Sequence, residues 1–147
     1  MKAYADTGLL CSLYAPDAHT VAAAKRVAGA KEALPITWLH QLELRNALRL
    51  KVFRREITTA QKEASLNLFL SDLAGRILAG SSPAAEDVSR EAERLSASFS
   101  EKLGGRSLDI LHVAAALVLG AEEFWTFDAR QAALAKASGL RVKGVAA

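Results

Sequence analysis

Four carboxylates, Asp6, Glu43, Asp109 and Asp128, stand at the margins of apolar segments, where a solvated acid is not the expected residue. Asp6 closes MKAYAD and Asp128 closes FWTFD, and each is followed by a helix-starting pattern, which is how an α/β protein presents side chains at strand tips. Glu43 and Asp109 fall inside helical patterns. Crowded carboxylates raise the pKa of some among them by like-charge repulsion unless a cation compensates. A hard divalent ion such as Mg2+ or Mn2+ prefers oxygen ligands and lowers the pKa of its water enough to make hydroxide available for attack on phosphorus. Four acids with Arg and Lys nearby therefore suit phosphodiester hydrolysis. Taken singly, each acid also has an ordinary explanation: Asp6 or Asp128 as a helix N-cap, Asp109 as a first-turn acid favoured by the helix dipole, Glu43 as a solvated position.

The elements that must position these acids alternate. Residues 2–5 read as a short buried strand, with Thr7-Gly8 as the break before an apolar helical turn at residues 9–14. An Ala-rich stretch at 19–30 reads as a helix, and residues 34–37 as a second strand weakened by Pro35. Residues 38–55 carry Leu39, Leu42, Ala47, Leu50 and Phe53 near helical period, which puts Glu43 in that helix's first half. Thr58-Thr59 caps the next helix, which Gly75 ends, and residues 76–79 form a brief strand. Pro83 suits the first turn of a long polar helix reaching about Phe99; residues 101–106, with Gly104-Gly105, read as a loop, and Ser107 as the following cap. LDILHVAAALVLG is apolar on nearly every side except Asp109 and His112, as a central helix would be. Residues 124–127 read as a buried strand, 129–138 as a helix closed by Gly139, and 140–142 as a final strand. The alternation predicts an α/β fold with a mostly parallel central sheet of four to five short strands, binding its ligand at the carboxyl edge.

Composition narrows the setting. At 147 residues and 51% hydrophobic, the chain is expected to be one domain, 1–147, with a core of ordinary size. No apolar run approaches the ~20 residues that cross a bilayer, and the N-terminus has neither a long apolar stretch nor a cleavage site, so a soluble cytoplasmic protein is expected. The single cysteine, Cys11, can form no internal disulfide and no multi-thiol zinc site, and it reads as core packing. A net charge of +3 is mildly basic, but its distribution is uneven. Arg45, Arg49, Lys51, Arg54 and Arg55 cluster in LRNALRLKVFRRE, with Arg45 and Arg49 one turn apart on a helix face. Such a stripe could hold phosphates, or it could serve the helix dipole and solvate one face.

The strings YADTGLL, QLELRNAL, RSLDILHVAAALVLGA and FWTFDARQAALAKASGLRV resemble, in order and over nearly the whole chain, the motifs of PIN-domain proteins, in particular the VapC-type ribonuclease toxins of toxin-antitoxin pairs. The resemblance implies a three-layer α/β/α domain and a metal-dependent endoribonuclease. Asp6, Glu43, Asp109 and Asp128 would be both its catalytic set and its ligands for one or two Mg2+ or Mn2+ ions. Thr126 would orient Asp128 or a water. It further implies RNA as substrate, single-stranded or in loops, a small cognate antitoxin covering the active site, and a homodimer. Such proteins often carry another acid just after the last motif aspartate, where Ala129 and Arg130 stand here, and this bears on the number of metal ions.

Other polar residues compete for roles. Thr7 is a candidate hydrogen-bond donor to Asp6 or to substrate, beside an ordinary turn role. Arg45 and Arg49 are candidate phosphate contacts. His40 with Glu43 and Asp109 with His112 are each three apart and could each offer a nitrogen and an oxygen to one metal, as in half of a di-iron bundle, although Asp6 and Asp128 follow strand-like runs. His112 reads better as a packed core residue, and so does Trp125, while Trp38 could stack on a base. A receiver domain would need adjacent acids beside the first strand and a lysine at a late strand tip, and neither is evident. The alternative function is a PIN-like module that binds RNA or protein without cutting it.

Overall fold

The computed structural model describes residues 2–144. Among these residues five short strands are separated by one or two helices each: β1 (Ala3–Ala5), α1 (Thr7–Tyr14), α2 (Thr20–Ala28), β2 (Leu34–Ile36), α3 (Trp38–Phe53), α4 (Thr59–Ala74), β3 (Leu78–Gly80), α5 (Ala85–Leu103), α6 (Ser107–Val118), β4 (Glu123–Thr126), α7 (Ala129–Ala137) and β5 (Arg141–Gly144). Every strand pair is parallel, as βα alternation requires. The pairs fall into a three-stranded set ordered β1-β4-β5 and a two-stranded set, β2-β3. The described residues form two compact units, one made of the chain up to Asp6 and from Ser82 onward, the other of Thr7–Ser81.

In the first unit, β1, β4, α5, α6, α7 and the start of β5 enclose one core: Tyr4, Val88, Leu95, Ile110, Val113, Phe124, Leu134 and Leu140 are all buried. Tyr4 stacks on Phe124 with ring centroids 5.6 Å apart, and its hydroxyl lies 2.7 Å from His112 Nδ1. His112 and Trp125 are thus core residues, as their surroundings in sequence suggest. α6 buries Ala114, Ala115 and Ala116, whose small side chains allow close packing against α5 and α7.

In the second unit α1 packs on α2, α3 and α4, and α3 and α4 back the β2-β3 pair. Phe69 is fully buried and meets Tyr14 edge to face at 5.7 Å. The Tyr14 hydroxyl donates to Asp72 Oδ2 at 2.6 Å. Burial pushes the Tyr14 phenol well above its ordinary value, and the bond to Asp72 and that group's negative charge add to the effect.

Several element boundaries differ from expectation for local reasons. α5 continues through Leu103, so residues 101–103 are helical rather than loop; the break falls at Gly104, whose φ of 68° makes the left-handed cap that glycine adopts without strain. α5 begins at Ala85, after Pro83 instead of with it, and the N-cap of α6 is Arg106, with Ser107 already in the first turn. Thr7 opens α1 and is not a break before it. β3 and β5 sit one to two residues later than the apolar runs suggest, because register with β2 and β4 sets their ends. On α3 the buried positions are Leu39, His40, Leu44 and Leu48, while Leu42, Leu50 and Phe53 face outward. That helix carries two apolar stripes, and packing selected the one containing the histidine.

Candidate metal-binding acidic site

Parallel pairing of β1 with β4 sets the first acid. Ala5 is level with Trp125, and the Asp6 N–H continues the ladder to the Trp125 carbonyl at 3.0 Å, which leaves Asp6 level with Thr126 at the carboxyl ends of both strands. Both are buried. The Thr126 hydroxyl donates to Asp6 Oδ2 and accepts the Asp128 N–H at 3.0 Å. One hydroxyl therefore links the acid ending β1 to the acid following β4. Beyond it, β5 passes so close that a Cβ at Gly144, where φ is 111°, would lie 2.5 Å from the Thr126 carbonyl oxygen. Only glycine fits there.

Asp128 is the N-cap of α7, its Oδ1 accepting the N–H groups of Arg130 at 2.8 Å and Gln131 at 3.0 Å. The ordinary capping role is thus realised at Asp128, and it engages only one carboxylate oxygen. Asp109 sits in the first turn of α6, partly buried, with Arg106 Nε 3.2 Å from its Oδ2. Its main-chain carbonyl accepts Gln131 Nε2 at 3.1 Å.

In the second unit Glu43 lies half-buried on α3 and accepts the Thr7 hydroxyl on Oε1 at 3.1 Å. His40 is fully buried, and its Nδ1 accepts the Thr37 N–H at 2.9 Å, closing a capping box at the start of α3. The histidine is a structural cap. Arg45 is half-buried and donates Nε to Gln41 at 3.2 Å, whereas Arg49 is exposed. Trp38, at the first position of α3, is also exposed.

The structure thus joins Asp6, Thr126 and Asp128 in one hydrogen-bonded chain, ties Asp109 to α7 through Gln131, and joins Thr7 to Glu43. Among the described residues no three His, Cys, Asp or Glu side chains already sit together as a metal cage. The donor set is nonetheless all oxygen, which suits a hard divalent cation, and the chain holds an orphaned buried acceptor, Gln131 Oε1, on the residue that meets both Asp109 and Asp128. Gln131 went unnoticed in the sequence. Its signal is the spacing Asp128-x-x-Gln131, the pattern of a capping box.

The PIN domain family model matches residues 3–137, and the chain belongs to that family. Three solved structures share the fold. Mycobacterium tuberculosis VapC20, described as a sarcin-ricin loop cleaving toxin, aligns over 90% of this chain and 94% of its own with TM-score 0.68 and 18% identity. Rickettsia felis VapBC2, solved bound to a promoter DNA fragment, aligns over 98% of each chain with TM-score 0.67 and 16% identity. Neisseria gonorrhoeae FitAcB aligns over 95% of each with TM-score 0.62 and 18% identity. No curated protein sequence matches. The architecture is the three-layer α/β/α arrangement of PIN domains. No helix among the described residues is long and apolar enough to cross a membrane.

Proposed function

We propose that this chain acts as one PIN domain that hydrolyses RNA, single-stranded or in loops, as a toxin restrained by a small antitoxin. Asp6, Glu43, Asp109 and Asp128 would hold Mg2+ or Mn2+. The observation that carries the reading is the Asp6-Thr126-Asp128 chain at the carboxyl ends of two parallel strands, where open α/β sheets bind ligands. The family and the loop-cleaving description of one structural relative support the substrate class.

In this reading, Thr126 holds the Asp6 carboxylate in a fixed orientation by donating to Oδ2. Asp128 divides its work: Oδ1 caps α7, and Oδ2, which takes no part in the cap, would meet the cation. Asp109 brings a carboxylate favoured at a helix N-terminus, and its pairing with Arg106 keeps that charge compensated until a stronger cation arrives. Thr7 orients Glu43. A bound divalent ion would supply the Lewis acidity that activates the attacking water and neutralises charge on the scissile phosphate. Arg45 and Arg49, one turn apart on α3, would grip flanking phosphates.

Incubation of the purified chain with a loop-containing RNA and Mn2+, with and without EDTA, tests the proposal. Cleavage that EDTA abolishes and Asp6→Asn eliminates is the expected result, and an intact RNA under every metal condition would refute it. That negative outcome belongs to the second reading, a module that binds without cutting, which is favoured by one observation: the Asp109 carboxylate and one Asp128 oxygen already have structural partners.

A further inference from the structure

We infer that Gln131 is a positioning residue for the acidic site, setting the spacing of Asp109 and Asp128 and thereby the affinity for the cation. The inference rests on the metal-site reading above.

The spacing Asp128-x-x-Gln131 would ordinarily close a capping box, with the Gln side chain returning to the N–H of the capping residue. Here that N–H is already taken by the Thr126 hydroxyl, part of the chain that fixes Asp6. Gln131 is displaced from the box. Its side chain reaches the Asp109 carbonyl on α6 at 3.1 Å, while its own N–H bonds Asp128 Oδ1 at 3.0 Å. One residue therefore touches both acids, by its amide side chain and by its backbone.

Two features separate this from routine helix packing. The Asp109 carbonyl lies inside α6, where the amide four residues on serves it by helical geometry, so the Gln131 bond is not needed to satisfy it. Its effect is to hold the first turn of α6 at a set distance from the cap of α7. Gln131 is also only 2% exposed, and its Oε1 has no hydrogen-bond partner among the described residues. A buried orphan acceptor costs stability, so an apolar residue of similar shape would serve the fold as well or better. An arrangement that is unfavourable for folding, repeated at no other described side chain, and located between two acids is what a functional constraint leaves behind.

Gln131→Met keeps the volume and removes both the donor and the orphan. The test is calorimetric titration of Mn2+ into the full chain, paired with thermal unfolding of the metal-free protein, for wild type, Gln131→Met, Gln131→Leu and Asp128→Asn. The expected result is a Kd for Mn2+ raised about tenfold or more in both Gln131 variants, the size typical of losing an outer partner of a ligand, with metal-free unfolding temperatures equal to or above wild type. Unchanged affinity in the variants overturns the inference while leaving the metal site standing. Affinity lost only together with metal-free stability, or variants that fail to fold, makes Gln131 an ordinary packing residue and overturns it too. A wild type that takes up no Mn2+ overturns the metal-site reading itself, and Asp128→Asn, expected to weaken binding more than either Gln131 variant, marks the difference.

Discussion

The two compact units treat their polar groups in opposite ways. In the unit built on β1, β4 and α7, Asp6, Thr126, Asp128 and Gln131 form a continuous hydrogen-bonded path that Gln131 extends to the Asp109 carbonyl, so three of the four acids belong to it or adjoin it. In the unit spanning Thr7–Ser81 the polar contacts secure helices and turns: Ser12, the His19 N–H and Thr20 converge on Asp17 between α1 and α2, Thr37 and His40 close the capping box of α3, and Thr7 to Glu43 and Tyr14 to Asp72 tie one helix to another. The first arrangement joins acids across strand ends; the second secures helices. The lesson is that burial alone does not mark function, since His40 is as buried as Thr126 and serves in a helix cap.

Substitutions can break this contrast or sharpen it. The largest effect is expected at the origin of the path. Asp6→Asn should lower metal-dependent cleavage beyond the ~100-fold typical of losing an outer partner, while the metal-free chain stays as stable or becomes more so through relief of carboxylate repulsion. Retained activity in a cleavage assay would remove Asp6 from the site.

Thr126→Val comes next, because it takes away a donor and an acceptor at once within a buried link. A loss of about 2–3 kcal/mol in urea unfolding is expected. The helix-to-helix contacts of the other unit should cost less. Tyr14→Phe is expected to lower stability by about 1.5 kcal/mol near neutral pH through loss of the bond to Asp72. It should also change the alkaline limb. With the folded phenol titrating above the unfolded value of 10.0, the folded chain keeps a proton that the unfolded chain loses, so the wild-type contribution is complete below about pH 10 and declines above it. Tyr14→Phe removes that decline, and stability measured across pH 9 to 11 would show whether it does. Thr7→Val should be the mildest, about 0.5–1 kcal/mol, since Glu43 is half-exposed and water can replace the lost donor. An effect at Thr7 equal to that at Thr126 would erase the distinction between the two units.

Much of this was legible from residue order. The hydrophobic runs before Asp6 and Asp128 announced strand ends, and parallel alternation announced the edge at which they would meet; β1 and β4 do pair in register there. Thr58 as a cap and Gly75 as a stop were equally readable, because capping is a matter of a few adjacent residues. The outward face of α3 was not, since Leu42, Leu50 and Phe53 repeat as regularly as the buried Leu44 and Leu48. Periodicity gives a stripe but does not say which of two stripes finds a partner.

What the sequence determined by itself, then, was local: which segments become strands or helices, where carboxylates fall on them, and the family those motifs resemble. Tertiary structure alone decided the pairings across distance. That Thr126 reaches Asp6, 120 positions away, depends on strand register, and once Thr126 had taken the Asp128 N–H, Gln131 was released from its capping box to reach Asp109. Such choices cannot be read along a chain, because each hydrogen-bonding group has several eligible partners nearby in sequence, and packing determines which one is within reach.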